Sequence, residues 1–183
     1  DSIDALAIAP DGNLIAGRHS GIIWSCSPTV ANSCVQLDNA ASPILSIAQG
    51  PGETFFAGIE NGTIWECPTN VANACTTLET APRGVVAVAY ANGRLFAGYE
   101  YDNLENGSIY ACTPGKKGCE KWDGGYAGRL AAAGERLYVA GNENLSLCST
   151  VKPNTCEQLD QTGNSKITID SLAVTGEEFS SQP

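Results

Sequence analysis

Residues 14–34, LIAGRHSGIIWSCSPTVANSC, form a unit that returns three more times along this chain of 183 residues. Recognisable copies stand at residues 55–75 (FFAGIENGTIWECPTNVANAC), 95–119 (LFAGYEYDNLENGSIYACTPGKKGC) and 137–156 (LYVAGNENLSLCSTVKPNTC). The copies share an Ala-Gly dipeptide at intervals of 41, 40 and 43 residues. Its glycines are Gly17, Gly58, Gly98 and Gly141. Such a period is typical of a propeller blade or of a two-helix repeat, so the pattern within the unit has to distinguish them.

Each unit reads as four short strands, as the first copy shows. An apolar run at residues 6–9 is followed by the turn formers Asp11 and Gly12, and then by the second strand. The third strand, residues 22–26, is rich in Ile and Trp, and the fourth starts at Cys34. No window shows a sustained helical period, and Gly or Pro interrupts the chain too often for two helices per unit. The pattern therefore favours strands.

The unit resembles the blade of a β-propeller, through its apolar strand, Asp-Gly turn, L-x-A-G and G-x-I-W segments. The resemblance is to the superfold, because the chain has no WD dipeptide and no kelch double glycine. Residues 62–65 (GTIW) echo a sialidase-type Asp box but lack its aspartate. The resemblance implies an all-β fold of four-stranded antiparallel blades around a central channel. It implies no reaction, because this superfold hosts many functions.

We expect a single propeller domain over residues 1–183, with repeats at about 1–41, 42–82, 83–127 and 128–166. Residues 2–7 (SIDALA) are matched by residues 168–173 (TIDSLA), which predicts the first strand of a fifth repeat at 167–175. Four blades can close into a small ring with this strand left over. Alternatively, the chain belongs to a longer propeller or is completed by another copy. An unpaired last strand would be an exposed edge, and such edges recruit partners.

Composition narrows the classes of partner. The net charge of -10 argues against nucleic acid, whose binding needs a basic surface. The sequence contains no apolar run of 18 residues, so no membrane span is predicted. The sequence begins with Asp1 and contains no Met, and we expect a mature or trimmed form.

The eight cysteines occur as one pair per repeat. The pairs are Cys26 with Cys34, Cys67 with Cys75, Cys112 with Cys119, and Cys148 with Cys156. A pair that recurs with each unit is most simply closed within the unit, so we predict four disulfides, one per blade. The competing interpretation is metal binding, which the wide spacing and the single His make the weaker one. Regular disulfides predict an oxidising compartment and hence a secreted or extracellular protein.

Three N-glycosylation sequons fit that compartment. Their asparagines are Asn61, Asn106 and Asn144. Because Asn-Gly is also simply a turn sequence, glycosylation of these sites is a prediction with a structural alternative.

The third unit departs from the repeat, and we expect ligand binding there because loops on a rigid scaffold carry function. Its insertion and the segment after its cysteines supply aromatic and acidic side chains that would form a shelf for a sugar or a peptide. The predicted ligand-binding residues are Tyr99, Tyr101, Asp102, Glu105, Trp122, Asp123 and Tyr126. The competing interpretation is a decorated surface loop with Trp122 packed against the next blade. Trp24, Trp65 and Tyr110 recur two residues before a cysteine, and we predict that they pack between blades or against the disulfide.

We expect no catalysis and no cofactor or metal, because the sequence offers no nucleophile with an oriented base and His19 is its only histidine. Acidic pairs such as Glu100 and Asp102 leave a propeller glycoside hydrolase as an unlikely alternative. The leading hypothesis is a secreted, disulfide-stapled propeller that acts as an extracellular protein-interaction or structural assembly module. Its partners would be other extracellular proteins or copies of itself, at the cell surface or in a matrix. A lectin-like carbohydrate-binding propeller is the other alternative.

Overall fold

The computed structural model describes residues 1–100, 108–124, 127–141 and 144–161, and within them the regular elements are all strands. The strands are β1 Ile3–Ile8, β2 Leu14–Arg18, β3 Ile22–Cys26, β4 Val35–Asn39, β5 Ile44–Gln49, β6 Thr54–Ile59, β7 Thr63–Pro68, β8 Thr76–Thr80, β9 Val85–Ala91, β10 Arg94–Tyr99, β11 Ile109–Cys112, β12 Cys119–Asp123, β13 Arg129–Ala133, β14 Arg136–Ala140, β15 Asn144–Ser149 and β16 Glu157–Gln161. Each run of four consecutive strands forms one antiparallel sheet, and the sheets are called blades 1 to 4 in chain order.

The first strands of the blades, β1, β5, β9 and β13, are the innermost. Each packs on the next in chain order, and all four border one cavity of about 610 Å³. Leu6, Leu45, Val86 and Leu130 are among the residues that line this cavity. The sheets therefore radiate from a common axis, and the prediction of an all-β propeller with four blades is confirmed. The predicted extra strand at residues 167–175 lies outside the described residues.

Hairpin turns form where the sequence supplies residues that accept a positive φ. In blade 1, Gly12 has a φ of 84° and the Asp11 carboxylate accepts a hydrogen bond from the Asn13 amide at 3.0 Å. In blade 3 the turn between β9 and β10 is Asn92-Gly93, with φ values of 49° and 72°. Asn-Gly is the preferred pair for a two-residue hairpin turn, because its backbone twist matches that of the flanking strands.

Hydrophobic side chains are buried between neighbouring blades, in three clusters of the described residues. Between blades 1 and 2, one face of blade 1 (Ile15, Ile23, Leu37) meets Phe55, Ala57 and Ile59. The two following junctions repeat this arrangement with Phe56, Ile64 and Leu78 against Leu95, Ala97 and Tyr99, and with Phe96, Ile109 and Trp122 against Leu130, Leu137 and Val139. Each inner blade thus uses one face for the blade before it and the other face for the blade after it.

The glycine of the Ala-Gly dipeptide allows the next blade to approach closely. A Cβ on Gly58 would lie 2.7 Å from Val85 Cγ1 and 2.9 Å from the Val85 carbonyl oxygen. The expectation that Gly141 is the fourth copy is wrong by one residue. Ala140 pairs with Leu145 as Gly58 pairs with Ile64, so Ala140 occupies the glycine position in blade 4. The Ala-Gly dipeptide lies one residue later in blade 4 because the LYVAG segment is one residue longer than the LFAG segment of blade 3.

Each of the four predicted disulfides closes within its own blade, so the predicted pairing is confirmed. The bonds are Cys26–Cys34, Cys67–Cys75, Cys112–Cys119 and Cys148–Cys156. Each joins the end of the third strand of a blade to the start of the fourth. All eight cysteines are paired, which suggests an oxidising, extracellular environment.

We expect Gly58→Ala to lower the free energy of unfolding by about 1 to 3 kcal/mol, because the added methyl group overpacks the junction between blades 2 and 3. Gly124→Ala is the matched control, since a Cβ there would meet nothing within 4 Å. Chemical denaturation of both variants checks this prediction. Equal stability of the two variants would contradict the close approach of the blades.

Candidate functional site

The predicted aromatic shelf does not form around Tyr99. Its side chain is 4% exposed, and its ring packs edge-on against Tyr110 at a centroid distance of 5.0 Å. Burial, with a further contribution from the nearby Glu79 carboxylate, raises the pKa of the Tyr99 phenol far above its ordinary value. Tyr99 is therefore a core residue of the junction between blades 2 and 3, although its ring also borders a cavity there.

Trp122 is likewise a core residue, and its placement on a surface shelf is corrected. Its side chain is 2% exposed, and its indole Nε1 donates to the Ser149 carbonyl oxygen at 2.9 Å. Its ring meets Phe96 edge-on at 5.4 Å, with the Arg94 guanidinium 5.0 Å from the ring centroid. This agrees with the competing interpretation, in which Trp122 packs against the next blade.

The other predicted shelf residues divide into two groups. Asp123 ends β12 and is half-buried. The remaining predicted ligand residues lie outside the described residues: Tyr101, Asp102, Glu105 and Tyr126.

A cavity of about 380 Å³ that sequence reasoning missed lies between blades 2 and 3. Its lining includes Glu79, Arg83, Ser108 and Tyr110. The Glu79 carboxylate accepts a hydrogen bond from the Cys119 amide at 2.9 Å, which ties the wall of the cavity to blade 3. A cavity of this size suits a small ligand.

The only histidine is part of an exposed cluster whose geometry is not that of a catalytic triad. His19 Nδ1 lies 2.9 Å from one Asp4 carboxylate oxygen, and the Ser2 hydroxyl donates to the other at 2.7 Å. In a catalytic triad the serine hydroxyl donates to the imidazole, which activates it. Here the Ser2 hydroxyl donates to the Asp4 carboxylate instead. The Ser2 hydrogen bond, assisted by His19, holds the pKa of Asp4 below its ordinary value. Within the described ranges, no group of three or more His, Cys, Asp or Glu side chains could hold a metal ion.

Blade 1 has an exposed apolar face, and the corresponding face of blades 2 and 3 is buried against the preceding blade. This blade 1 face consists of Ile3, Leu6, Ile8 and Trp24. Ile3 is 62% exposed, whereas Ile44 and Val85, which hold the same register position in blades 2 and 3, are fully buried. Full burial of one such side chain stabilises a protein by about 1.5 to 3 kcal/mol.

The outer part of the blade 1 face is a groove of about 240 Å³. Ile3, Arg18, Trp24 and the Cys26–Cys34 disulfide line it. The Trp24 indole Nε1 is shielded from solvent and has no hydrogen-bond partner among the described residues. The copies of Trp24 in blades 2 and 3, Trp65 and Tyr110, pack against the junction with the preceding blade, as predicted. The groove is therefore one half of a blade junction.

Two of the three predicted glycosylation sites fall within the described residues. Asn61 is exposed in a turn, where its side-chain oxygen accepts a hydrogen bond from the Thr63 amide at 3.0 Å. Asn144 is exposed at the start of β15, and Asn106 lies outside the described residues. Glycosylation of these sites stays a prediction. No helix long and apolar enough to cross a membrane occurs in the described part of the chain.

Comparison with known proteins supports the fold. No family model and no curated protein sequence matches the chain. The computationally designed protein Ika4 is similar in structure, with a TM-score of 0.64 and 14% identity over 81% of this chain and 91% of Ika4. The designed Ika8 protein is similar with a TM-score of 0.63 and 14% identity, over 96% of this chain and 53% of Ika8. Virginiamycin B lyase from Staphylococcus aureus has a TM-score of 0.65 and 15% identity, over 84% of this chain and 54% of the lyase.

The chain thus spans about half the length of the Ika8 and lyase chains. At these identities the similarity shows a propeller fold, and the activity named for the lyase is not transferred to this chain.

We expect Trp122→Ala to lower the free energy of unfolding by about 3 to 5 kcal/mol, because it empties a core position and leaves the Ser149 carbonyl without its donor. Lys121→Ala, an exposed neighbour on the same strand, should change it by less than about 0.5 kcal/mol. Denaturant titration of the two variants checks this. A Trp122→Ala variant as stable as the Lys121→Ala control would contradict the assignment of Trp122 to the core.

Proposed function

We propose that this chain is a secreted, disulfide-stapled β-propeller that acts by binding, as an extracellular protein-interaction or structural assembly module. The observation that carries the proposal is the blade 1 face, where Ile3, Leu6 and Ile8 are each more than half exposed. A contiguous exposed apolar patch of this kind marks an interaction site on a soluble protein.

The four disulfides support an extracellular location for this activity. They also suit a module that has to keep its blades intact while one face stays open to solvent. Glycans on Asn61 or Asn144 belong to the same proposal, because both side chains are exposed.

Carbohydrate binding is the second candidate, and the cavity between blades 2 and 3 is the observation that favours it. The cavity combines the Tyr99 and Tyr110 rings with Glu79 and Arg83, which are residue types that stack on and hydrogen-bond to sugars. Carbohydrate binding is less well supported than protein binding, because Tyr99 is nearly fully buried and offers little ring surface to a sugar.

The native mass of the purified chain tests the leading proposal. We expect light scattering on a sizing column, at physiological ionic strength, to give a particle larger than the 19.0 kDa chain plus any glycan. A particle of one chain that also captures no extracellular protein would contradict a role in assembly or interaction. Binding to a glycan panel that is lost in Tyr110→Ala would then favour the second candidate.

A further inference from the structure

We propose that the blade 1 face binds blade 4 of a second copy of this chain, so that copies join head to tail. The surface on blade 4 is the blade 4 face, which consists of Tyr138, Leu145 and Leu159. The inference rests on the proposed function and names its partner and its two surfaces. The contact between copies would be a fourth junction of the same kind as the three that join the blades within one chain.

The apolar halves of this junction are both present on the chain, at opposite ends of the blade series. The blade 4 face holds the register positions that Ile15, Ile23 and Leu37 hold in blade 1. Leu37 and its copies in blades 2 and 3 are at most 4% exposed, whereas Leu159 is 51% exposed. The blade 1 face is the matching half, since its copies in blades 2 and 3 cover these residues in the internal junctions.

A backbone hydrogen bond recurs at every internal junction. An amide in the loop between the third and fourth strands of one blade donates to a carbonyl in the fourth strand of the blade before it. The three bonds run from Asn73 to Leu37 at 2.7 Å, from Gly118 to Leu78 at 2.9 Å and from Asn154 to Trp122 at 3.0 Å.

The corresponding groups at the two ends are the Asn32 amide on blade 1 and the Leu159 carbonyl on blade 4. Asn32 has a φ of 58°, and Asn73 and Asn154 have a φ of 55° each. The loop of blade 1 therefore already holds the left-handed conformation that places the donor at the other junctions. A donor and an acceptor preset in this way lower the ordering cost of association.

Curvature also agrees with a second copy. The chain superposes on about half of each of two longer proteins of this fold, so further blades can follow the arc of these four. A contact between unlike faces is heterologous, and it closes into a ring if the rotation per copy allows and extends into a filament otherwise. Both products use the same pair of faces.

Two positions depart from the internal junctions. Arg18 on the blade 1 face stands where blades 2 and 3 carry the buried Ile59 and Tyr99. Ala140 on blade 4 stands where blades 1 to 3 carry glycine. Ala140 is 1% exposed in the single chain, and on association its position would lie opposite Ile3 of the partner copy, as Gly17 lies opposite Ile44 within the chain. The junction between copies should therefore be wider and weaker than the internal ones. We expect Ala140→Gly to strengthen the association of copies.

A pair of complementary variants tests the proposal. Ile3→Asp blocks the blade 1 face and Leu159→Asp blocks the blade 4 face, and both positions are exposed enough for the full chain to fold. Val71→Asp is the matched control, because Val71 is an equally exposed aliphatic residue in a loop of blade 2. Sedimentation velocity is measured for the wild type, for each variant and for an equimolar mixture of the two blocked variants.

We expect the wild type and Val71→Asp to associate, and each blocked variant alone to sediment as a single chain, with its apparent Kd raised about tenfold or more. The mixture should form dimers and nothing larger, because one intact face remains on each variant.

Three results would overturn the proposal. If both blocked variants associate like the wild type, another surface joins the copies, and the proposed function survives without this inference. If the mixture fails to form dimers, the two faces do not bind each other. If the wild type stays a single chain but associates once Ile169→Asp is introduced, residues 167–175 of the same chain cover the blade 4 face.

Discussion

The burial of each four-stranded sheet against the next one is the contact on which this molecule depends. A sheet with two apolar faces cannot bury both by itself, so a repeat of this kind is stable only in a series. Within the chain, three junctions meet this requirement through the same register positions. The two faces at the ends of the series keep the same chemistry without the same cover, and the open Ile3 and Leu159 side chains are the consequence.

Two further devices hold the blades in place, and they act at different levels. The disulfides fix the outer hairpin of each blade, where a closed loop of about nine residues limits the unfolded chain and contributes roughly 2 to 3 kcal/mol. The recurring backbone hydrogen bond, such as that from Asn73 to Leu37, fixes the position of one blade relative to its neighbour. Stability within a blade is thus separate from association between blades. In an oxidising environment, the disulfide of blade 1 therefore helps to keep this blade folded although one of its faces is open to solvent.

Much of the fold was predictable because the repeat fixes the turns, the strands and the cysteine pairs together. The site was less predictable, and Trp122 shows why. Its aromatic side chain in an irregular unit suggested a surface shelf, yet it occupies the register position of Leu37 and Leu78, a signal that was present in the repeat. The open face of blade 1 could not be predicted, since Ile3 is the same kind of residue as its buried copy Ile44. What differs is the presence of a preceding blade, which no local pattern encodes.

We propose that the blade 1 face is the surface that becomes covered when the protein associates. Hydroxyl-radical footprinting of the full chain, read by mass spectrometry at low and high protein concentration, measures side-chain cover directly. We expect oxidation of Ile3 and Trp24 to fall as particles grow, while the exposed Val71 stays reactive. Particles in which Ile3 remains as reactive as Val71 would contradict it.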